Sequence, residues 1–251
     1  MIGASRRIVS LFEVDPDLIE HLDARQAEAA RQRGLARVAS LRVGEHNPWG
    51  QRNVATGHLG FLVLSGLLTR NVTLLGRTSM DLVGAGDILR PWEDGAEASS
   101  IPSVVTWTVH ESARIAVLDR YFAKRVAPWP EIVAALISRS ARRAQWLGQH
   151  LAILENPRVD VRLMLLFWHL ADRWGTVGPE GVTVPLLLTH NTLGRLVRAQ
   201  RPSVTASLHG LAERGLLIRG QDGAWVLHGD PRRELGLRLD NLTAQGPAAS
   251  P

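Results

Sequence analysis

Between Val133 and Leu154 the apolar and small residues fall at a strict 4-3-4-3-4-3 spacing: Val133, Ile137, Ser140, Ala144, Leu147, Leu151 and Leu154. Three heptads of this kind describe a narrow stripe along a long helix, the pattern of helices packed in a left-handed pair. A surface helix packed on its own domain is the competing account of that stripe. Arg139, Arg142, Arg143 and Gln145 lie off the stripe. We read 129–155 as a dimerisation helix. It divides the chain, because the residues before it and after it follow different rules.

Before the helix, residues 35–118 carry short apolar runs separated by Gly, Pro, Asn and Asp. The runs are 38–43, 60–64, 67–75, 80–83, 88–89, 104–109 and 114–118. Turn signals every eight to twelve residues read as an all-β sandwich or barrel, and Val105-Thr106-Trp107-Thr108-Val109 alternates as a half-buried strand should. A helix is expected over 15–33, capped by Asp15, with Pro16 in its first turn and Gly34 as its stop.

After the helix, Asn156 and Pro157 are expected to cap and open a second helix whose buried face is Val159, Leu163, Leu166, Phe167, Leu170 and Trp174. A short strand is expected at 181–187. Thr189 caps a helix over 190–197. Residues 198–201 form a tight turn, and Pro202 opens a helix that Gly215 stops. Leu193, Leu196, Val197, Val204, Leu208 and Leu211 form the shared core. Two short strands, 216–219 and 224–227, complete a winged helix-turn-helix plan. The tail 236–251 is expected to be disordered.

Such a plan puts the outward residues of its second helix into a DNA major groove. Here these are Arg201, Pro202, Ser203, Thr205, Ala206 and His209, with Thr189 and Arg198 beside them. Arg201 precedes the positive end of the helix, where a phosphate or a guanine would be met. Thr189 and Ser203 can donate to phosphate oxygens. From Leu188 to Gly220 there are five arginines and one acid, Glu213, a local charge of +4. The whole chain carries 29 basic and 24 acidic residues, formally +5, and Lys124 is the lone lysine. Codon bias explains the lysine deficit, but arginine still offers bidentate recognition of phosphate and guanine.

The order of these segments resembles the Crp/Fnr transcription regulators. Thr189, Leu193, Gly194, Arg201, Val204 and Leu208, then Leu211-Ala212-Glu213-Arg214-Gly215-Leu216-Leu217, are similar to the C-terminal module of that family. Upstream, Leu62-Val63-Leu64-Ser65-Gly66, Val83-Gly84-Ala85-Gly86-Asp87-Ile88-Leu89 and Ala113-Arg114-Ile115-Ala116-Val117-Leu118-Asp119 resemble its cyclic-nucleotide-binding-like β-roll, in the same order. The resemblance spans about residues 10–230, and its specificity lies in order and spacing rather than in one motif.

It implies an α+β fold: an N-terminal β-roll sensor (1–128), the dimerisation helix (129–155) and a winged helix-turn-helix (156–235). The function implied is that of a homodimeric regulator on a pseudo-palindromic duplex, with RNA polymerase as a further candidate partner. The sequence also departs from the family. Arg198 stands where a turn glycine is usual. Pro202 and Ala206 replace the glutamate and second arginine that follow the turn arginine in the cyclic-AMP receptor protein, so a different DNA sequence is expected.

The candidate effector pocket is Gly86, Asp87, Ile88, Leu89, Arg90, Trp92 and Trp107. Between Arg90 and Arg114 the only basic side chain is His110, while Glu93, Asp94, Glu97 and Glu111 are acidic. A phosphate needs a fixed cation or a ring of N–H donors, so a cyclic nucleotide is not expected and the effector is left unassigned.

No cofactor is expected either. The chain has no cysteine, which excludes thiol catalysis and Cys-ligated clusters. Its nine histidines show no ligand spacing, and His46, His58 and His110 give no cupin-like metal set. The N-terminus lacks the apolar core of a signal peptide, and no window reaches 18 uncharged apolar residues. A cytoplasmic protein without membrane contact is expected. Two other readings stay open: a winged helix that docks a partner protein, and a β-roll enzyme with an appended helical domain.

Overall fold

The computed structural model describes residues 3–44, 57–93 and 100–230. The expected tail, His46, Asp94 and Glu97 lie outside them. The chain forms two compact units, Met1–Leu147 and Gly148–Pro251.

The first unit is built on antiparallel strands β1 (Gly3–Ser10), β2 (Leu35–Leu41), β3 (Gly60–Leu74), β4 (Arg77–Gly84), β5 (Ile88–Leu89) and β6 (Val104–Leu118). Their order is β1-β2-β6-β3-β4, with β5 on β3. The runs 60–64 and 67–75 belong to one strand, as do 104–109 and 114–118. What reads as a break in the sequence is a bulge. The β3–β6 register shifts between Val63 and Leu68, around Gly66 at φ 95°. A Cβ on Gly66 would lie 2.5 Å from Ala113 Cα and 2.6 Å from the Ser112 carbonyl, so only glycine allows this approach. The bend closes the ribbon into a roll. β1 lies over residues whose sequence reads only as a short apolar patch.

Alternation then separates two cores. Phe61, Val63, Trp107 and Ile115 face the inside of the roll with Leu68, Val83 and Leu89. Leu62, Ala116 and Leu118 face the other way, onto the helices. These helices are α1 (Leu11–Val14), α2 (Ala24–Arg33), α3 (Arg120–Val126) and the long α4 (Pro130–Leu154).

The single helix expected over 15–33 is broken. A 3-10 turn covers Pro16–Ile19, and α2 starts only at Ala24. Asp23 caps it, accepting from Gln26 N–H at 2.8 Å while Gln26 Oε1 accepts from Asp23 N–H. Asp15 makes no cap, because its carboxylate is bound by Arg139. Gly34 does follow the helix, but at φ −75°. Its lack of a side chain serves packing instead: a Cβ would meet the Phe12 ring at 2.1 Å.

The second unit holds α5 (Val159–Trp174), α6 (His190–Leu196), α7 (Arg201–Glu213) and the strands β7 (Thr176–Gly178), β8 (Gly181–Val184), β9 (Leu217–Arg219) and β10 (Trp225–Leu227). The sheet order is β7-β8-β10-β9, so β10 lies between β8 and β9. Asn156 and Pro157 do not start α5. Arg158 is its N-cap, and the Asn156 side chain accepts from Arg158 N–H at 3.1 Å. Pro157 therefore lies outside the helix, where its missing N–H and fixed φ cost nothing.

Candidate nucleic-acid interface

Two helices joined at a tight turn need buried residues on facing sides and a close approach at the corner. Thr189 starts α6 by accepting from Thr192 N–H at 3.1 Å. Leu193, Leu196 and Val197 meet Val204, Leu208 and Leu211 of α7, all six buried. At the corner, Ala199 N–H donates to the Gly194 carbonyl at 2.8 Å. A Cβ on Gly194 would stand 2.7 Å from the Ala199 carbonyl, so glycine is required there. Arg198 takes the left-handed turn conformation at φ 50°. α7 begins at Arg201, with Gln200 as its N-cap and Pro202 in the first turn, one residue earlier than the sequence implies.

With Val204, Leu208 and Leu211 inward, α7 exposes Arg201, Pro202, Ser203, Thr205, Ala206 and His209. Thr189 and Arg198 are exposed beside them. Three of these side chains already have intramolecular bonds: Thr189, which bonds Thr192, and also Thr205 and His209. Thr205 Oγ1 donates to the Arg201 carbonyl at 3.0 Å and lies 2.9 Å from His190 Nδ1. His209 pairs with Glu213 at 3.2 Å. Thr205 thus presents chiefly its methyl group outward.

The local charge is also distributed unevenly. Arg214 donates to the Gly210 carbonyl at 3.1 Å and faces Asp160 of α5 at 3.5 Å. Asp160 is itself held by Arg158 at 2.7 Å, which keeps its carboxyl below the usual range. Arg219 stacks 5.4 Å from the Trp225 ring centroid. Both are tied into the scaffold. Arg195, Arg198 and Arg201 are exposed around the corner and the start of α7.

α4 carries two stripes, not one. Ile132, Leu136, Arg139, Arg143, Trp146, His150 and Ile153 repeat the same 4-3 spacing one position earlier. The apolar members, and His150, are buried. The arginines of this inner stripe reach carboxylates of the first unit. Arg139 binds Asp15 through both nitrogens, Nη2 to Oδ1 at 2.6 Å. Arg143 binds Asp81, Asp87 at 3.0 Å and the Leu82 carbonyl at 3.2 Å. Along the stripe read from the sequence, Ile137, Ser140, Ala144 and Leu151 are exposed, and Val133, Leu147 and Leu154 are half-buried.

Arg143 also changes the account of the candidate effector pocket, the cassette 86–92 with Trp107. Ile88, Leu89, Arg90 and Trp107 line a cavity of about 450 Å³, together with Arg70, Asp81, Glu93, Ser140, Arg143 and Leu147. The cations missing from the cassette's own sequence come from β3 and α4. Gly86, Asp87 and Trp92 are not in this lining. Asp87 is buried, accepting from Gly84 N–H at 2.9 Å behind Arg143. Trp92 packs edge-on to Phe61 and His58 at 5.5 and 5.0 Å. Arg90 faces Glu93 at 2.8 Å. Burial pushes the Asp81 carboxyl up to about 6, with Asp87 adding to it and Arg143 opposing.

No protein-family model and no curated protein sequence matches the chain. Solved structures do. A cyclic nucleotide-binding domain containing protein from Listeria monocytogenes superposes with a TM-score of 0.63 at 19% identity, over 86% of this chain and 97% of that one. A CooA mutant from Carboxydothermus hydrogenoformans gives 0.60 at 16%, over 80% and 87%. A transcriptional regulator of the CRP/FNR family from Thermus thermophilus, TTHA1359, gives 0.53 at 20%, over 80% and 97%.

The chain has the Crp/Fnr regulator fold.

Within that fold, sequence reasoning located the outward face of α7 but missed three contributors. The pairing of Arg214 with Asp160 joins residues 54 apart in sequence. Arg143 reaches the cassette cavity from α4. His150 reaches the turn of the helix-turn-helix. The inner stripe of α4 would have revealed the last two, since its charged and polar members share a spacing with buried leucine, isoleucine and tryptophan. Among the described residues no group of three or more His, Cys, Asp or Glu is placed to hold a metal ion, and no helix is long and apolar enough to cross a membrane.

Proposed function

We propose that the chain is a homodimeric, DNA-binding transcription regulator of the Crp/Fnr type that needs no cyclic nucleotide. The observation that carries this reading is the outward face of α7. Arg201 and Ser203 stand exposed in its first turn, on a core of Val204, Leu208 and Leu211. Arg195 and Arg198 flank them to meet the phosphate backbone. The exposed stripe of α4 would pair with a second copy, setting two recognition helices about 34 Å apart in successive major grooves. Independence from a cyclic nucleotide is supported by the cassette cavity. There Arg143 is bound by Asp81 and Asp87, and Arg90 faces Glu93. A phosphate would have to displace carboxylates from both.

Selection of bound duplexes from a random pool at physiological salt, with and without small-molecule extract, tests the reading. A two-fold symmetric consensus without added nucleotide is expected. Failure to enrich any duplex overturns the reading, and enrichment only with a cyclic nucleotide overturns effector independence. Arg201→Ala should cost about 1–3 kcal/mol and relax the preference at one base step. An equal loss on all sequences would instead assign Arg201 to a phosphate.

A further inference from the structure

The inner stripe of α4 carries a histidine in the second unit. His150 is 5% exposed, and His169 of α5, 6.1 Å away between ring centroids, is 6% exposed. His150 Nε2 lies 3.0 Å from the carbonyl of Leu196. A carbonyl only accepts, so this nitrogen carries a proton and donates.

Leu196 is the last residue of α6, and its carbonyl is one of those that a helix end leaves without an intrahelical partner. The next residues form the corner. Val197 N–H bonds the Leu193 carbonyl at 2.9 Å, Arg198 is left-handed, and Ala199 N–H bonds the Gly194 carbonyl. The turn that aims α7 is therefore fastened to α6 at Gly194 and to α4 at His150.

The groups that face His150 include the His169 ring from α5 and the Arg198 guanidinium from the turn. Burial holds the His150 ring below the ordinary histidine range. Its bond to Leu196 acts against this, and Arg198 adds to it. The Arg198 guanidinium does not welcome a further positive charge.

We infer that His150 is a positioning residue for the helix-turn-helix: as a neutral ring it fastens the last turns of α4 to the Leu196 carbonyl, and uptake of a proton releases the turn that aims α7. The closed turn favours the neutral ring, whereas an opened turn exposes a histidine that takes up its proton near pH 6.5. Opening is then promoted as pH falls below that value, by up to about tenfold at pH 5.5. Arg198 and the start of α7 would lose their fixed aim in the same window.

The test is amide exchange of Val197 and Ala199 in the full chain, corrected for intrinsic rates, at pH 7.5 and 5.5. It compares the wild type with His150→Gln, which keeps a donor but cannot titrate, and with His150→Leu, which has none. The wild-type opening constant should rise on acidification by up to about tenfold more than that of His150→Gln. His150→Leu should exchange faster at both pH values and bind the selected duplex roughly fivefold more weakly at pH 7.5, with His150→Gln restoring most of the loss.

An equal rise in the wild type and His150→Gln overturns proton sensitivity. Wild-type protection in His150→Leu overturns the positioning role. The duplex measurement rests on the reading above and the exchange measurement does not. If no duplex is retained by the wild type, that reading fails and exchange alone decides the inference.

Discussion

Arg198 shows how a single residue can serve two demands at once. It occupies a left-handed corner, at φ 50°, where a Cβ costs on the order of 1 kcal/mol and glycine costs little. Arg198→Gly should therefore stabilise the second unit by about 1 kcal/mol, read as a higher urea midpoint at constant slope. The same change should weaken duplex binding, because an arginine exposed at the corner is gone. Loss of stability instead would mean that the guanidinium makes contacts worth more than the strain.

Asp81 makes the opposite case, a charge the fold disfavours. Arg143 must neutralise both Asp81 and Asp87 inside the roll, and burial pushes Asp81 up to about 6. A carboxyl raised in the folded state contributes stability that is present below about pH 4 and lost as pH rises through about 6. Between those limits the wild type should lose about 2–3 kcal/mol that Asp81→Asn does not. Denaturant midpoints of the two proteins across pH 4–7.5 measure the difference, and parallel curves would refute it.

At the scale of elements, α4 decides the most. Its sequence spells two heptad stripes, and only the outer one is apolar enough to be noticed. The inner one contains Arg139, Arg143 and His150, whose polar ends find Asp15, Asp81, Asp87 and the Leu196 carbonyl. Each of those partners is more than 40 residues away, so spacing alone cannot reveal it. For the same reason Asp15 looked like a helix cap: its true partner is Arg139.

The strands were legible from alternation, yet the bulge at Gly66 read as a turn, since Ser-Gly is turn chemistry in any local window. The outward face of α7 was legible because an amphipathic helix needs no distant partner to declare its outward side.

The outer stripe yields its own prediction. Leu147 lines the cassette cavity, so a charge there would disturb the roll as well. Ile137 and Leu151 are 64% and 58% exposed and give the cleaner test. Ile137→Glu or Leu151→Glu should leave thermal unfolding of the protomer nearly unchanged. Each should weaken self-association by about 100-fold, because a two-fold interface buries the new charge twice. Sedimentation of a variant that stays dimeric would remove α4 from the interface.

For the whole molecule, charge placement matters more than the net +5. Arg214 and Arg219 are exposed but engaged with Asp160 and Trp225, whereas Arg195, Arg198 and Arg201 are exposed around the corner and the start of α7. If Arg201 meets a base, two arginines per protomer remain for phosphates. A dimer would then neutralise about four phosphates, and log K should fall with log salt at a slope of about −4. A monomer should show about half that slope.

Arg195→Ala should flatten the dimer's slope by about 2 units while lowering affinity evenly across sequences. Arg214→Ala, which removes a scaffold contact, should leave the slope unchanged. A shallower slope in Arg214→Ala would place that arginine at the DNA after all. A near-zero slope in the wild type would favour a docked protein in place of the duplex, because only a polyanion with a condensed counterion atmosphere releases salt on this scale.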